Sequence, residues 1–209
     1  MKLYLSSYKV GDNAEGFKKL VGKSAARVAI IDNSRDYSED LERKARGLQS
    51  EFEAMSELGF TPEHLDLRNY FGKSKELVEK LSRLDVAWVI GGNSFLLRRA
   101  MEQSGFHTVI DTLIKTNKLV YAGYSAGICV LAPSLRGVEM VDDPTILADG
   151  YNPEIIWDGL GLIDFYPIVH YDSDHPESAL VDRELAHIQS LGIPYKTLRD
   201  GDTIIIDTP

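Results

Sequence analysis

Short apolar runs alternate with longer amphipathic stretches along almost the whole chain, and no other feature restricts its fold so strongly. Lys2-Ser6, Ala26-Asp32, Val86-Ile90, Leu119-Ala122 and Phe165-His170 have the length and β-branched content of strands. Between them, Leu41-Leu58, Lys73-Leu84, Ser94-Glu102, Thr108-Thr116 and Glu177-Leu191 place apolar residues near helical spacing. Strands that are apolar on both faces need cover on both sides, so this rhythm predicts an α/β fold: a single domain over residues 1-209, built as a three-layer α/β/α sandwich on a mainly parallel sheet. At the C-terminus, Pro194-Leu198 and Thr203-Asp207 flank Arg199-Asp-Gly-Asp202. The Asp200-Gly201 step is a hairpin signal, so this pair is expected to form an antiparallel edge.

The bulk properties exclude several classes of function. A net charge of -9 argues against a nucleic-acid partner, because holding a phosphate backbone takes clustered Lys and Arg. No apolar run approaches the ~20 residues of a membrane-spanning helix. The single cysteine, Cys129, cannot form an intramolecular disulfide, and the N-terminal stretch lacks the apolar region of a signal peptide, so a reducing cytoplasm is the expected setting. Neither an internal repeat nor a low-complexity linker is visible. A homodimer is compatible with the sequence and is not specified by it.

Two glycine-bearing junctions each follow a strand and precede a helix, at the carboxyl edge where such sheets bind ligands. One is Ile90-Gly-Gly-Asn-Ser-Phe95; the other is Gly123-Tyr-Ser-Ala-Gly127. The second fits G-x-S-x-G, a tight strand-to-helix turn that lifts its serine above the sheet, which makes Ser125 a candidate nucleophile. The Ala126 N–H opens the following helix. Gly92 offers a second backbone donor with no side chain in the way, so the pair is a candidate oxyanion hole. Asn93 adjoins it as a candidate substrate contact.

A serine needs a base. His170 ends an apolar strand and opens a polar loop, which puts it at the same edge as Ser125; His175, in that loop, is the alternative. His64, His107 and His187 fit ordinary structural positions. The acid that would orient the base is sought in Gly137-Val-Glu-Met-Val-Asp-Asp-Pro144, where Glu139, Asp142 and Asp143 all qualify. The loop Tyr171-Asp-Ser-Asp-His-Pro-Glu177 is rich in carboxylates, yet Asp174, Pro176 and Glu177 read as a helix start and not as metal ligands, and no metal or other cofactor is expected. Asp172 and Asp174 remain candidates for a substrate's free amino group. Buried Cys129 reads as packing.

Taken together, Gly91-Gly-Asn-Ser-Phe-Leu-Leu97, Tyr124-Ser-Ala-Gly127, Ala132-Pro133, Leu162-Ile-Asp-Phe165 and His170-Tyr171 resemble, in order and spacing and nearly end to end, the peptidase E (dipeptidase E) serine peptidases. These are relatives of cyanophycinase on a fold like that of the class I glutamine amidotransferases. The resemblance implies a serine peptidase acting on short peptides, with Ser125 as nucleophile, His170 as base and the Gly92 and Ala126 amides as oxyanion donors. It also implies an acid after the nucleophile. The equivalent spacing lands on Met140, so Glu139 or Asp142 takes that part, and an aspartate-recognising arginine falls near Arg183. Two rivals stand beside it. A serine esterase of the α/β-hydrolase type shares the pentapeptide but normally inserts more chain between serine and histidine. A catalytically inactive binding or regulatory homologue would explain an acid missing from position 140.

Overall fold

In the computed structural model, which describes residues 1–208, six strands form one sheet in the order β3-β2-β4-β5-β1-β8. Five are parallel: β1 (Lys2–Ser6), β2 (Arg27–Ile31), β3 (Thr61–His64), β4 (Val86–Val89) and β5 (Val120–Tyr124). The last, β8 (Thr203–Asp207), runs antiparallel to β1 and ends the sheet. The parallel sheet with an antiparallel C-terminal edge is as the sequence predicts.

Residues alternate between two cores along each inner strand. Leu3, Leu5, Ile31 and Val89 face the side covered by α3 (Ser74–Leu81), α4 (Ser94–Ser104), α5 (Phe106–Lys115), α6 (Ala126–Cys129) and α7 (Ser178–Ser190). Tyr4, Val28, Ile30 and Trp88 face α1 (Ala14–Val21) and α2 (Leu41–Glu57). Helices therefore cover both faces. No helix of the described residues is long and apolar enough to cross a membrane.

Three elements depart from the expected pattern. The first strand missed, β3, carries Pro62, which removes a ladder donor and is tolerated because β3 is the outer edge. Helix α1 is only eight residues long, held by the Asn13 side chain accepting from Gly16 N–H (3.1 Å) and by a left-handed Gly22. The C-terminal pair is not a hairpin. Instead, β7 (Tyr195–Thr197) lies parallel to β6 (Tyr166–Ile168) in a separate two-stranded sheet, and the Asp200-Gly201 turn leads from that sheet into β8 of the main one. A turn signal specifies a local bend but not which strand comes to lie alongside.

Candidate active site

The parallel pairing of β4 and β5 puts the two glycine junctions side by side, with Val89 opposite Gly123. Directly after β5, Ser125 has φ 50° and ψ -123°, the strained bend expected of a nucleophile turn. Glycine at 127 is a steric requirement, because a Cβ there would lie 2.1 Å from the Val89 carbonyl oxygen. The Gly91 turn presses on the serine from the other side; a Cβ at 91 would come within 2.9 Å of Ser125 Cβ. At Gly92 (φ 150°), a Cβ would strike the Ser34 carbonyl oxygen at 2.7 Å. The Gly92 and Ala126 N–H groups have no protein acceptor among the described residues, whereas the next residue, Asn93, donates its N–H to Ser34 (2.9 Å).

Ser125, His170, Gly91, Gly92, Tyr8 and Glu177 line one cavity of about 690 Å³. His170 lies two residues past β6 with φ 56° and is buried. Its Nδ1 is 2.6 Å from Asp200 Oδ1, and its backbone N–H donates to Ser7 Oγ at 2.8 Å. Asp200 is anchored in turn: its N–H donates to Ser173 Oγ (2.8 Å), and Ser7 Oγ lies 3.1 Å from Oδ1. Because Nδ1 is engaged by the carboxylate, Nε2 is the ring nitrogen left for exchange with a substrate or nucleophile. Burial lowers the His170 pKa, opposed by the Asp200 hydrogen bond and charge and assisted by nearby His175. The neutral imidazole, the form a base needs, is thereby favoured.

The acid beside His170 is thus Asp200, which sequence reading took for a turn residue, and neither Glu139 nor Asp142. Glu139 turns back to accept the Gly137 N–H. Asp142 accepts the Ser94 N–H at 2.8 Å at the start of α4, and burial pushes its carboxyl up to about 6. Asp143 is occupied by Thr145. The signal that could have found Asp200 is the strand pattern of Pro194-Leu198, which ends just before it as Phe165-Val169 ends just before His170.

None of the expected substrate contacts lines the cavity. Asn93 is buried and caps α4, accepting from Leu96 N–H (2.9 Å) and donating to the Asp143 carbonyl (2.9 Å). Asp172 is ion-paired with Arg199, and Asp174 and Arg183 are exposed outside it. Nor does the expected helix start form at Asp174, since α7 begins at Ser178 after Glu177 with no side-chain cap. His175 stacks on His170 with centroids 3.7 Å apart and planes 6° apart. His170, His175 and Glu177 bring ligand atoms within 4.8 Å of one another. Stacked rings, however, aim their in-plane lone pairs side by side and not at one point, and His170 Nδ1 is already taken, so the trio is a poor metal cage.

A residue that sequence reading passed over ties this edge together. Arg35 Nε donates to the Gly91 carbonyl (2.8 Å) and its Nη2 to Tyr124 Oη (3.0 Å). Tyr124 Oη donates to Glu51 Oε1, and Trp88 Nε1 to Glu51 Oε2, both at 2.8 Å. One guanidinium thus links the turn bearing Gly92 to the residue before Ser125.

Residues 10–208 match the model of peptidase family S51. An uncharacterized peptidase of Listeria monocytogenes is 30% identical over 120 residues, covering 57% of this chain and 55% of that one. A Streptomyces coelicolor protein named peptidase E is 28% identical over 133 residues, covering 61% and 51%. The chain spans about half the length of the curated relatives it matches. Among solved structures, a protein from L. monocytogenes assigned as a peptidase E superposes with a TM-score of 0.74 at 20% identity, covering 100% of this chain and 98% of that one. A peptidase from an acI-B1 actinobacterium gives 0.66 at 16% identity, covering 98% and 82%. At such identities these two establish a shared fold.

Proposed function

The chain belongs to peptidase family S51, and on that premise we propose that it is a serine peptidase that hydrolyses short peptides at Ser125. The observation that carries this is the 2.6 Å contact between His170 Nδ1 and Asp200 Oδ1, at a cavity that Ser125 also lines. His170 Nε2 takes the Ser125 proton as Oγ attacks the peptide carbonyl, and Asp200 stabilises the imidazolium that results. The Gly92 and Ala126 N–H groups receive the negative oxygen; removing one such donor typically costs about 10²–10³ in rate. His170 then gives its proton to the departing amine; a water, deprotonated by the same imidazole, attacks the acyl carbon, and the proton returns to Ser125 Oγ as its bond to the acyl half breaks and the acid is released.

A fluorophosphonate probe together with a panel of unblocked dipeptides tests this. The expected result is covalent labelling at Ser125 and hydrolysis that Ser125→Ala abolishes without altering the fold. Peptide cleavage undiminished in Ser125→Ala would overturn the assignment.

A further inference from the structure

The cavity that holds Ser125 has a second wall of opposite character, supplied by the N-terminal half of α2. Arg43, Lys44, Arg46 and Gly47 line it together with Arg35. This concentration of positive charge occurs on a chain of net charge -9. Some of it is already spent: Lys44 is ion-paired with Asp36, with Asp32 at 3.9 Å, and Arg35 is bound to Gly91 and Tyr124. Arg43 is different. Its guanidinium makes no hydrogen bond or ion pair among the described residues. Arg46 has only a 3.5 Å pair with Glu42, both side chains being mostly exposed. Three residues apart on one helix, the two arginines share a face.

One guanidinium without a partner and one held only by a long, exposed ion pair, on the concave surface that Ser125 also lines, call for a planar anion that a fork of N–H donors can hold in two places; a carboxylate has that shape. Glu177 lines the cavity near His170 and would repel an anion there, which leaves α2 as the favourable wall. The geometry points to a leaving-group subsite: Arg43 and Arg46 receive the carboxylate of the residue released from the carboxyl side of the scissile bond. The substrate class is therefore a short peptide with an anionic leaving half, as a free C-terminus or an acidic side chain there. This rests on the serine-peptidase reading of Ser125 and adds its specificity.

The test compares dialanine, dialanine amide and the amide of alanyl-glutamate as substrates of the wild-type protein and of Arg43→Gln/Arg46→Gln, whose exposed positions spare the core. Wild-type kcat/KM is expected to favour dialanine over its amide by about tenfold, as for partly exposed charge-assisted hydrogen bonds. The double variant loses that preference while keeping its rate on the amide. A high rate on the alanyl-glutamate amide assigns the subsite to side-chain carboxylates too; a low one confines it to the free C-terminus. Equal rates on dialanine and its amide in the wild type, or a preference undiminished in the double variant, would overturn the subsite.

If no peptide is hydrolysed, the peptidase reading fails, and calorimetry on Ser125→Ala still decides the subsite. Tighter binding of dialanine than of its amide, lost when Arg43 and Arg46 are also replaced, supports it; equal binding, or none of either, overturns it.

Discussion

His170 Nδ1 and Asp200 Oδ1 stand 2.6 Å apart although 30 residues of chain separate them. The parallel pairing of β6 with β7 makes this contact, setting Ile168 opposite Thr197. In a parallel pair the two carboxyl ends lie at the same edge, so the residues just beyond them become neighbours. Leu198 ties the loops further, its N–H donating to Ile168 (2.8 Å) and its carbonyl accepting from Tyr171 (3.0 Å).

Replacing Asp200 by Asn keeps the shape and removes the charge. The expected loss in kcat is on the order of 10⁴, as for the same change in other serine-histidine-acid sites. Asp200 holds the His170 pKa up against burial. Its loss should therefore also move the acid limb of the kcat/KM profile to lower pH. Glu139→Gln, which removes a carboxylate that accepts the Gly137 N–H and is not paired with His170, should leave both unchanged. An Asp200→Asn profile superimposable on the wild type would remove Asp200 from the mechanism.

Arg35→Met should weaken activity through position and not through contact with the reacting atoms. Without the guanidinium, the Gly91 carbonyl and Tyr124 Oη lose their common donor, and the Gly92 amide loses its fixed place relative to Ser125. A fall of about 10–100-fold in the fluorophosphonate labelling rate is expected, less than for loss of a whole oxyanion donor. Partial rescue by Arg35→Lys would follow, since lysine keeps the charge but not the fork. Unchanged labelling in Arg35→Met would sink the idea.

Glu184 gives the chain a stability that depends on pH. Its carboxyl is pushed up to about 8, first by burial and then by Asp142, Glu177 and Glu139, against a 2.6 Å hydrogen bond from Tyr166 Oη. A folded pKa above the unfolded one means that the folded state holds the extra proton. The stability this contributes is present below about 4.5 and is lost as pH rises through 8. Glu184→Gln stays neutral throughout. Urea unfolding at pH 5 and pH 9 should show the variant gaining on the wild type with rising pH, by on the order of a few kcal/mol. A difference independent of pH would contradict this.

Gly127→Ala should destabilise the fold by about 1–3 kcal/mol, the cost of overpacking, because the added methyl meets the Val89 carbonyl and no flexible side chain is there to yield. Denaturant midpoints measure it. A neutral outcome would mean that β4 and β5 separate more freely at this edge than their pairing indicates.

Much of this architecture could be read along the chain. Apolar runs and helical spacing marked β1, β2, β4 and β5 and most of the helices, though not β3 or the short α1, and Gly123-Tyr-Ser-Ala-Gly127 announced its bend because the steric demand lies within five residues. His170 could be located as the end of an apolar run. What tertiary structure decided was partnership. Asp200-Gly201 reads the same whether its flanking strands pair with each other or with distant ones, so only the packed sheets show that β7 joins β6 and brings Asp200 to His170. Arg35 likewise looks like any surface arginine until the Gly91 turn and Tyr124 arrive from other strands. Local sequence encodes backbone bends and the faces that must be buried. Which side chains meet across those faces depends on strand order, and strand order is a property of the whole fold.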